Sequence, residues 1–342
     1  REDLALYLTI PLQKLTYILY KSKPDSYYDT FEIPKKNGES RQIHAPSGDL
    51  KQLQKKLAQR LWDVYREFIE ENEIQDNISH AFQKGKSIIT NANIHRNKRY
   101  VLNLDLKEFF DHCHFGRVRG FFMKNKNFEL PVEMATMIAQ LTCYEGKLPQ
   151  GAPTSPMITN LVCNILDMRL LKIAKKYRVV YTRYADDMTF STNDKKFLEN
   201  QENFMKSIKK EIESFGFEIN DKKTRLLFCD SRQEVTGLVV NKKISVNREY
   251  CKRTRAMADA FYRRGIFEIC GEEGSVNQLE GRFSFINQID CYNNKNDREQ
   301  KHTFWTLNAR ERQYQKFLFF KYFYANTKPL IVTEGKTDIV YL

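Results

Sequence analysis

The chain lacks any apolar run long enough to form a membrane-spanning helix, and no signal peptide opens it, so a membrane surface is the weaker explanation of its charge. It also lacks paired cysteines. The seven present are scattered without CxxC spacing, an odd number that suits neither a disulfide framework nor a zinc ribbon and fits a reducing, cytoplasmic setting. Negative charge is in short supply too: 56 lysines and arginines face 43 aspartates and glutamates, and the net charge of +13 favours a polyanionic partner. At 342 residues the chain is long for one compact core, and two or three subdomains are expected.

What is present is organised around residues 179–191, VVYTRYADDMTFS. β-branched and aromatic residues flank Asp186 and Asp187, which predicts two strands joined by a tight turn with the acidic pair at its tip. Most Asp-Asp turns are simply solvated. Two adjacent carboxylates held in place by a fold, however, normally need a cation. Residues 100–111, YVLNLDLKEFFD, read as a buried strand ending in Asp105, where a charge is costly unless paired or metal-bound. With that strand beside the hairpin, Asp105 and Asp186 converge. Carboxylates from separate strands can then hold two Mg²⁺ ions about 3.5–4 Å apart, one activating a 3′-hydroxyl and one carrying a departing pyrophosphate. Phe110 stands where a ring could fill the space of a ribose 2′-hydroxyl and select deoxynucleotides, while core packing accounts for at least one of Phe109 and Phe110. His112, Cys113 and His114 are consecutive, and adjacent positions rarely face one ion.

Taken in order, residues 3–20 have helical spacing interrupted at Pro11, and residues 28–45 alternate as a hairpin around Lys35-Lys36-Asn37-Gly38. Lys35, Lys36 and Arg41 could grip a triphosphate from this ribbon, or be a solvated basic tip. Residues 50–73 form a long amphipathic helix. In residues 79–95 a Gly85-Lys86-Ser87 turn precedes a short helix, and Asn91, Asn93 and His95 are of the type that cross-links a local turn. In LPQGAPTSPMITN, residues 148–160, Gly151 admits close backbone approach, Gln150 can bond a base or ribose, and Ser155-Pro156 supplies an N-cap and first-turn proline. The helix that follows, through Tyr177, places Ile158, Leu161, Val162, Ile165 and Leu166 at core spacing. A helix over 197–215 leads into GFEINDKKT, residues 216–224, which turns into a strand. There Lys222 or Lys223 could act as general acid to the leaving pyrophosphate. Residues 234–246 make a hairpin turning at Asn241-Lys242-Lys243. The helix over 248–264 then mixes Arg248, Lys252, Arg253 and Arg255 with Tyr250, Phe261 and Tyr262, cations for phosphates and rings for stacking. Two more helices, over 279–292 and 306–324, complete a helical region.

The order of NLDLKEFFD, LPQGAPTSP, YADD, GFEINDKKT and the later hairpin resembles the successive palm motifs of reverse transcriptases. Within that family the chain resembles the bacterial retron enzymes, through NANIH (Asn91, Ala92, His95) and Val235-Thr236-Gly237. The resemblance covers roughly residues 35–324. It implies an α+β right-hand polymerase fold, with N-terminal helices and fingers over 1–100, a ferredoxin-like palm over 101–245 and a helical thumb over 246–326. It implies RNA-directed DNA synthesis with Mg²⁺, on the protein's own structured noncoding RNA, primed from an RNA 2′-hydroxyl and giving an RNA-linked DNA product, in anti-phage defence. By it, Asp105, Asp186 and Asp187 are the catalytic and metal-binding carboxylates and Lys223 the lysine near the leaving group. Lys35, Arg41, Phe110, Gln150 and Gly151 meet the dNTP, while Asn91, His95, Thr236 and Gly237, with the basic helix, engage RNA.

Residues 329–342, PLIVTEGKTDIVYL, resemble the first strand of a Toprim domain with Glu334 as its acid/base residue, although the DxD such domains carry further along is missing. GKT lacks the leading glycine of a phosphate-binding loop, since Leu330 stands there. A chain that opens at Arg1 and stops in mid-pattern at Leu342 is expected to be a fragment of a longer protein, with a fused effector domain or a second copy of itself as further partners. Two other functions stay open: a scaffold that restrains an effector, and a defence polymerase with untemplated or protein-primed synthesis.

Overall fold

The structure, a computed structural model, describes residues 1–34, 38–72, 77–296, 307–326 and 329–331. Among these residues no helix is long and apolar enough to cross a membrane. The chain divides into two compact units, residues 1–236 and 237–342.

The first unit begins with α1 (Glu2–Tyr7) and α2 (Leu12–Thr16), separated at Pro11, whose extended backbone cannot continue a helix. A π-helical turn, Tyr17–Ser22, and a short 3₁₀ turn, Pro24–Tyr27, lead to the ribbon β1 (Tyr28–Pro34) and β2 (Ser40–Pro46), in which Ile33 stands opposite Arg41. Lys35, Lys36 and Asn37 at its tip lie outside the described residues. α3 (Gly48–Glu71) buries Leu50, Leu53, Leu57 and Leu61 at helical spacing, each contributing roughly 2 kcal/mol of burial. α4 (Ile88–Ile94) starts on a capping box in which Ser87 and Thr90 satisfy each other's backbone donors.

Next come β3 (Tyr100–Asp105), α5 (Phe115–Lys124), α6 (Val132–Thr142), α7 (Ser155–Lys176), β4 (Val180–Tyr184), β5 (Asp187–Thr192), α8 (Phe197–Ser214) and β6 (Arg225–Phe228). The four strands form an antiparallel sheet in the order β4-β5-β3-β6, with α5–α7 and α8 in the crossovers, the ferredoxin-like arrangement. β3 is central and nearly all buried, as its apolar run requires. One core of buried residues runs from Leu4 through Leu53, Leu104 and Phe190 to Ile219, so fingers and palm share their packing.

Three local expectations are corrected. Thr154 is the N-cap of α7. Ser155 lies inside the first turn, where its hydroxyl donates 2.8 Å to the Pro149 carbonyl. Ile165 is 42% exposed, because the buried face of α7 turns along the helix from Ile158 and Val162 towards Leu170 and Ala174. The strand after GFEINDKKT begins only at Arg225; Ile219 makes a single bridge to Leu106 and a turn intervenes.

In the second unit Val239 and Ser245 exchange backbone hydrogen bonds of 2.8 and 2.9 Å around the Asn241–Lys243 turn. Three helices follow, α9 (Arg248–Arg264), α10 (Val276–Asn296) and α11 (Ala309–Phe323), packed around Ala258, Phe261, Leu279, Phe283 and Phe317. Phe261 is therefore core and cannot stack on a base as expected. Residues 332–342, with Glu334, lie outside the described residues.

Candidate active site

Register brings the carboxylates together. Asp105, the last residue of β3, stands directly opposite Asp187, the first of β5, and Asp186 occupies the turn between β4 and β5. That turn closes in two residues because Ala185 takes a left-handed φ of +56°, a conformation usually left to glycine. The Leu106 N–H donates 3.1 Å to the Asp186 carbonyl and ties the turn to β3. Burial first, and then the neighbouring Asp105, push the Asp186 carboxyl above its ordinary range. Asp187 keeps access to solvent, yet loss of hydration followed by repulsion from Asp186 and Asp105 pushes it up to about 7.

Asp105 is 7% exposed, and both of its oxygens are engaged. Lys223 Nζ lies 2.9 Å from Oδ1 and Asn220 Nδ2 donates 3.2 Å to Oδ2, while the Asn220 N–H donates 2.7 Å to the Asp105 carbonyl. Contact with Asp105 holds the Lys223 ammonium pKa above its usual value. Sequence reading missed Asn220. Its only signal was a turn-forming residue directly after an apolar strand position, which is common. Lys223 reaches the site and Lys222 does not line it.

Among the described residues no three histidine, cysteine, aspartate or glutamate side chains already stand grouped to hold a metal ion. The donor chemistry nevertheless fits one. Asp105, Asp186 and Asp187 offer only oxygen, the preference of hard divalent cations, and the raised pKa values of Asp186 and Asp187 mark negative charge in need of compensation. The Lys223 ammonium supplies part of that compensation, at the atom a metal would compete for.

Asp105 and Asp186 border a cavity of about 730 Å³ whose walls include Arg41, Phe110, Gln150 and Lys223. Both Phe109 and Phe110 border the cavity, but Phe109 is buried and stacks on Phe217, centroids 5.6 Å apart, whereas Phe110 is half-buried and the more accessible ring of the two. Gln150 and Gly151 are met by the fingers ribbon: the His44 N–H donates 2.8 Å to the Gln150 carbonyl. A Cβ on Gly151, whose φ is +125°, would fall 2.8 Å from the His44 carbonyl oxygen. Arg41 is exposed on β2, and its charge offsets a small part of the rise that burial and Asp105 impose on the Asp186 pKa. Lys35 lies outside the described residues.

Asn91 and His95 do not face a ligand. Both are fully buried, which corrects their expected contact with RNA. They hold the hairpin that carries Asp186 and Asp187 from behind: His95 Nδ1 and Nε2 each lie 2.7 Å from a hydroxyl, Ser191 on β5 and Thr182 on β4. Thr182 donates its single proton to Asn91 Oδ1, so it accepts from His95 Nε2–H, and Ser191 donates to Nδ1. Burial pushes the His95 pKa down to about 3, and the ring is neutral. Thr236 is half-buried and donates to the Ile88 carbonyl at the start of α4, while Gly237 is exposed with a left-handed φ of +81°. Arg248, Lys252, Arg253 and Arg255 are exposed on α9, with Arg253 paired to Glu249.

A ferredoxin-like sheet that sets two carboxylates opposite each other, a third on the adjoining turn and a basic, aromatic-walled cavity in front of them defines a palm-type nucleotidyltransferase. Comparison with known proteins narrows the class. The reverse transcriptase (RNA-dependent DNA polymerase) family matches residues 33–254. The chain is 32% identical over 291 residues to the retron Ec86 reverse transcriptase of Escherichia coli, with 84% of each chain covered. It is 34% identical over 273 residues to the retron Mx65 reverse transcriptase of Myxococcus xanthus, covering 75% of this chain and 61% of that one. Against the Mx162 enzyme of the same organism the identity is 32% over 319 residues, with 84% and 64% covered. Among solved structures, apo telomerase from Candida tropicalis shares the fold at a TM-score of 0.50 and 12% identity, over 88% of this chain and 62% of that one. The chain belongs to the reverse transcriptases and, among them, to the retron enzymes, which are RNA-directed DNA polymerases. Enzymes of this family use divalent metal ions.

Proposed function

We propose that the chain copies part of its own structured noncoding RNA into DNA, priming from a 2′-hydroxyl of that RNA, in a cytoplasmic anti-phage defence system. The observation that carries the catalytic part is the Asp105–Asp187 register with Asp186 on the adjoining turn, facing the cavity bounded by Arg41, Phe110, Gln150 and Lys223. The defence role and the priming group follow from the likeness to retron enzymes.

Asp105, Asp186 and Asp187 would hold Mg²⁺, which activates the priming hydroxyl and offsets charge on the departing pyrophosphate. Arg41, with Lys35 beyond the described residues, draws in the triphosphate from the ribbon. Phe110 covers the sugar at C2′, and Gln150 bonds the nucleotide beside the close approach allowed by Gly151. Lys223, on the cavity wall 2.9 Å from Asp105, would donate a proton to the leaving group. Thr236 and Gly237 at an accessible turn, and the exposed cations of α9, meet RNA. The same proposal includes an effector arm beginning near Glu334.

The test is to purify the protein from its native locus, extract bound nucleic acid and treat it separately with RNase and DNase on a denaturing gel. A single RNA-linked DNA of fixed length supports self-templated synthesis. Heterogeneous DNA attached to protein favours an untemplated or protein-primed polymerase, and RNA without DNA favours a scaffold. Asp186→Asn should abolish DNA synthesis while leaving RNA affinity within a few-fold by filter binding; retained synthesis sinks the metal assignment.

A further inference from the structure

Arg183 brings a positive charge to the middle of the first unit, directly behind the carboxylate turn. It is 0% exposed. Strand alternation puts Tyr181 and Arg183 on one face of β4, towards α7, where Asp167 is also buried. Arg183 Nε lies 2.9 and 3.1 Å from the two Asp167 oxygens, Nη2 lies 2.8 Å from Oδ2, and the Tyr181 hydroxyl donates 2.8 Å to Oδ1. The carboxylate thus fixes the plane of the guanidinium. Its remaining arm, Nη1, points forward along the strand, donating 3.2 Å to the Ala185 carbonyl and 3.3 Å to Asn160 Oδ1. Ala185 is the left-handed residue of the turn, and Asp186 follows it.

A buried ion pair of this kind is not needed for stability, since apolar residues of similar volume usually serve as well or better. What they cannot supply is a donor aimed at a strained peptide. Lysine cannot supply it either while paired with Asp167, because its ammonium is one point charge and the two acceptors lie on different arms of the fork. We propose that Arg183 is a positioning residue for the polymerase reaction: clamped by Asp167, it holds the Ala185 carbonyl and so fixes the turn that presents Asp186 and Asp187. The proposal rests on the assignment of those two aspartates to the metal site.

Three variants of the full chain, purified with bound RNA, test it: Arg183→Lys, the double Arg183→Met with Asp167→Leu, and Asp186→Asn. Thermal midpoint, Mn²⁺ binding by electron paramagnetic resonance and single-nucleotide incorporation are measured on each. The double variant is expected to fold and to melt somewhat below the parent, because no charge is left unpaired and only the buried Tyr181 hydroxyl loses its acceptor. Its Mn²⁺ affinity and kcat should nevertheless fall about 10–100-fold, the usual cost of losing an outer-shell partner, with the dNTP KM little changed. Arg183→Lys should lose Mn²⁺ affinity in the same way, and it decides the matter if the double variant does not fold. Parental Mn²⁺ affinity in a folded double variant, or in Arg183→Lys, overturns the proposal while leaving the site reading intact wherever Asp186→Asn has lost Mn²⁺. Undiminished Mn²⁺ binding by Asp186→Asn overturns both.

Discussion

Phe110 and His95 show how little of a residue's role lies in its type. Two phenylalanines follow the β3 strand in sequence and both border the cavity, and only packing makes Phe109 a buried core ring and leaves Phe110 the more accessible one. Replacing Phe110 with alanine opens the space beside C2′. The ratio of kcat/KM for a deoxynucleotide over its ribonucleotide should then fall about tenfold or more, as measured by competitive incorporation. An unchanged ratio removes Phe110 from sugar selection. His95 belongs to a motif expected to touch RNA, yet it is a neutral ring locked between Ser191 and Thr182. Its folded pKa of about 3 lies below the ordinary histidine value, so the unfolded chain takes up a proton first. Stability is therefore full above about pH 6.5 and is lost as pH falls from there towards 3, by about 1 kcal/mol per pH unit. In His95→Gln that part of the slope should vanish from urea melts taken at successive pH values.

At the scale of elements, the fingers ribbon and the loop before α7 meet backbone to backbone. The His44 N–H bonds the Gln150 carbonyl, and Gly151 leaves no room for a side chain. Gly151→Ala must move one element away from the other, at a cost of about 1–3 kcal/mol of local strain. The expected outcome is a dNTP KM raised about tenfold with kcat much less affected, because the ribbon carrying Arg41 can no longer close on Gln150. Steady-state kinetics on a short RNA template decides it, and an unaltered KM shows that the contact is incidental to nucleotide binding. Most helices and strands were legible in the pattern, α5 and α6 being the exceptions. α9 follows its periodicity residue for residue, and β3 is the buried strand its apolar run announced. Ile165 was not legible, because the rotation of a buried face along α7 depends on what packs against each turn of the helix.

For the whole molecule, the charge of +13 makes nucleic-acid affinity a salt-dependent quantity. Lys252 and Arg255 are exposed on α9, and among the described residues neither forms an ion pair. Replacing both with alanine should flatten the slope of log affinity against log salt by about two for RNA. Fluorescence anisotropy between low and moderate salt measures this, and a parental slope places the phosphate contacts elsewhere. The thermal midpoint should not move, since neither side chain is part of the core around Phe261 and Phe317.

By itself the sequence determined the family: NLDLKEFFD, LPQGAP, YADD and GFEINDKKT stand in an order that resembles the palm of a reverse transcriptase, and residue type and order are all that such a resemblance needs. It also located most elements to within a few residues, since hydrophobic periodicity and turn residues act over a few positions, although α5 and α6 went unread and the start of α7 fell one residue earlier than expected. The tertiary structure alone decided which polar residues face the substrate and which face the protein. Asn91 and His95 turned inward, Asn220 turned to Asp105, and Arg183 became the hub behind the turn. The physical reason is that a buried polar group must find partners wherever the fold brings them. Those partners, Ser191 for His95 and Asp167 for Arg183, come from other elements that local pattern cannot foresee.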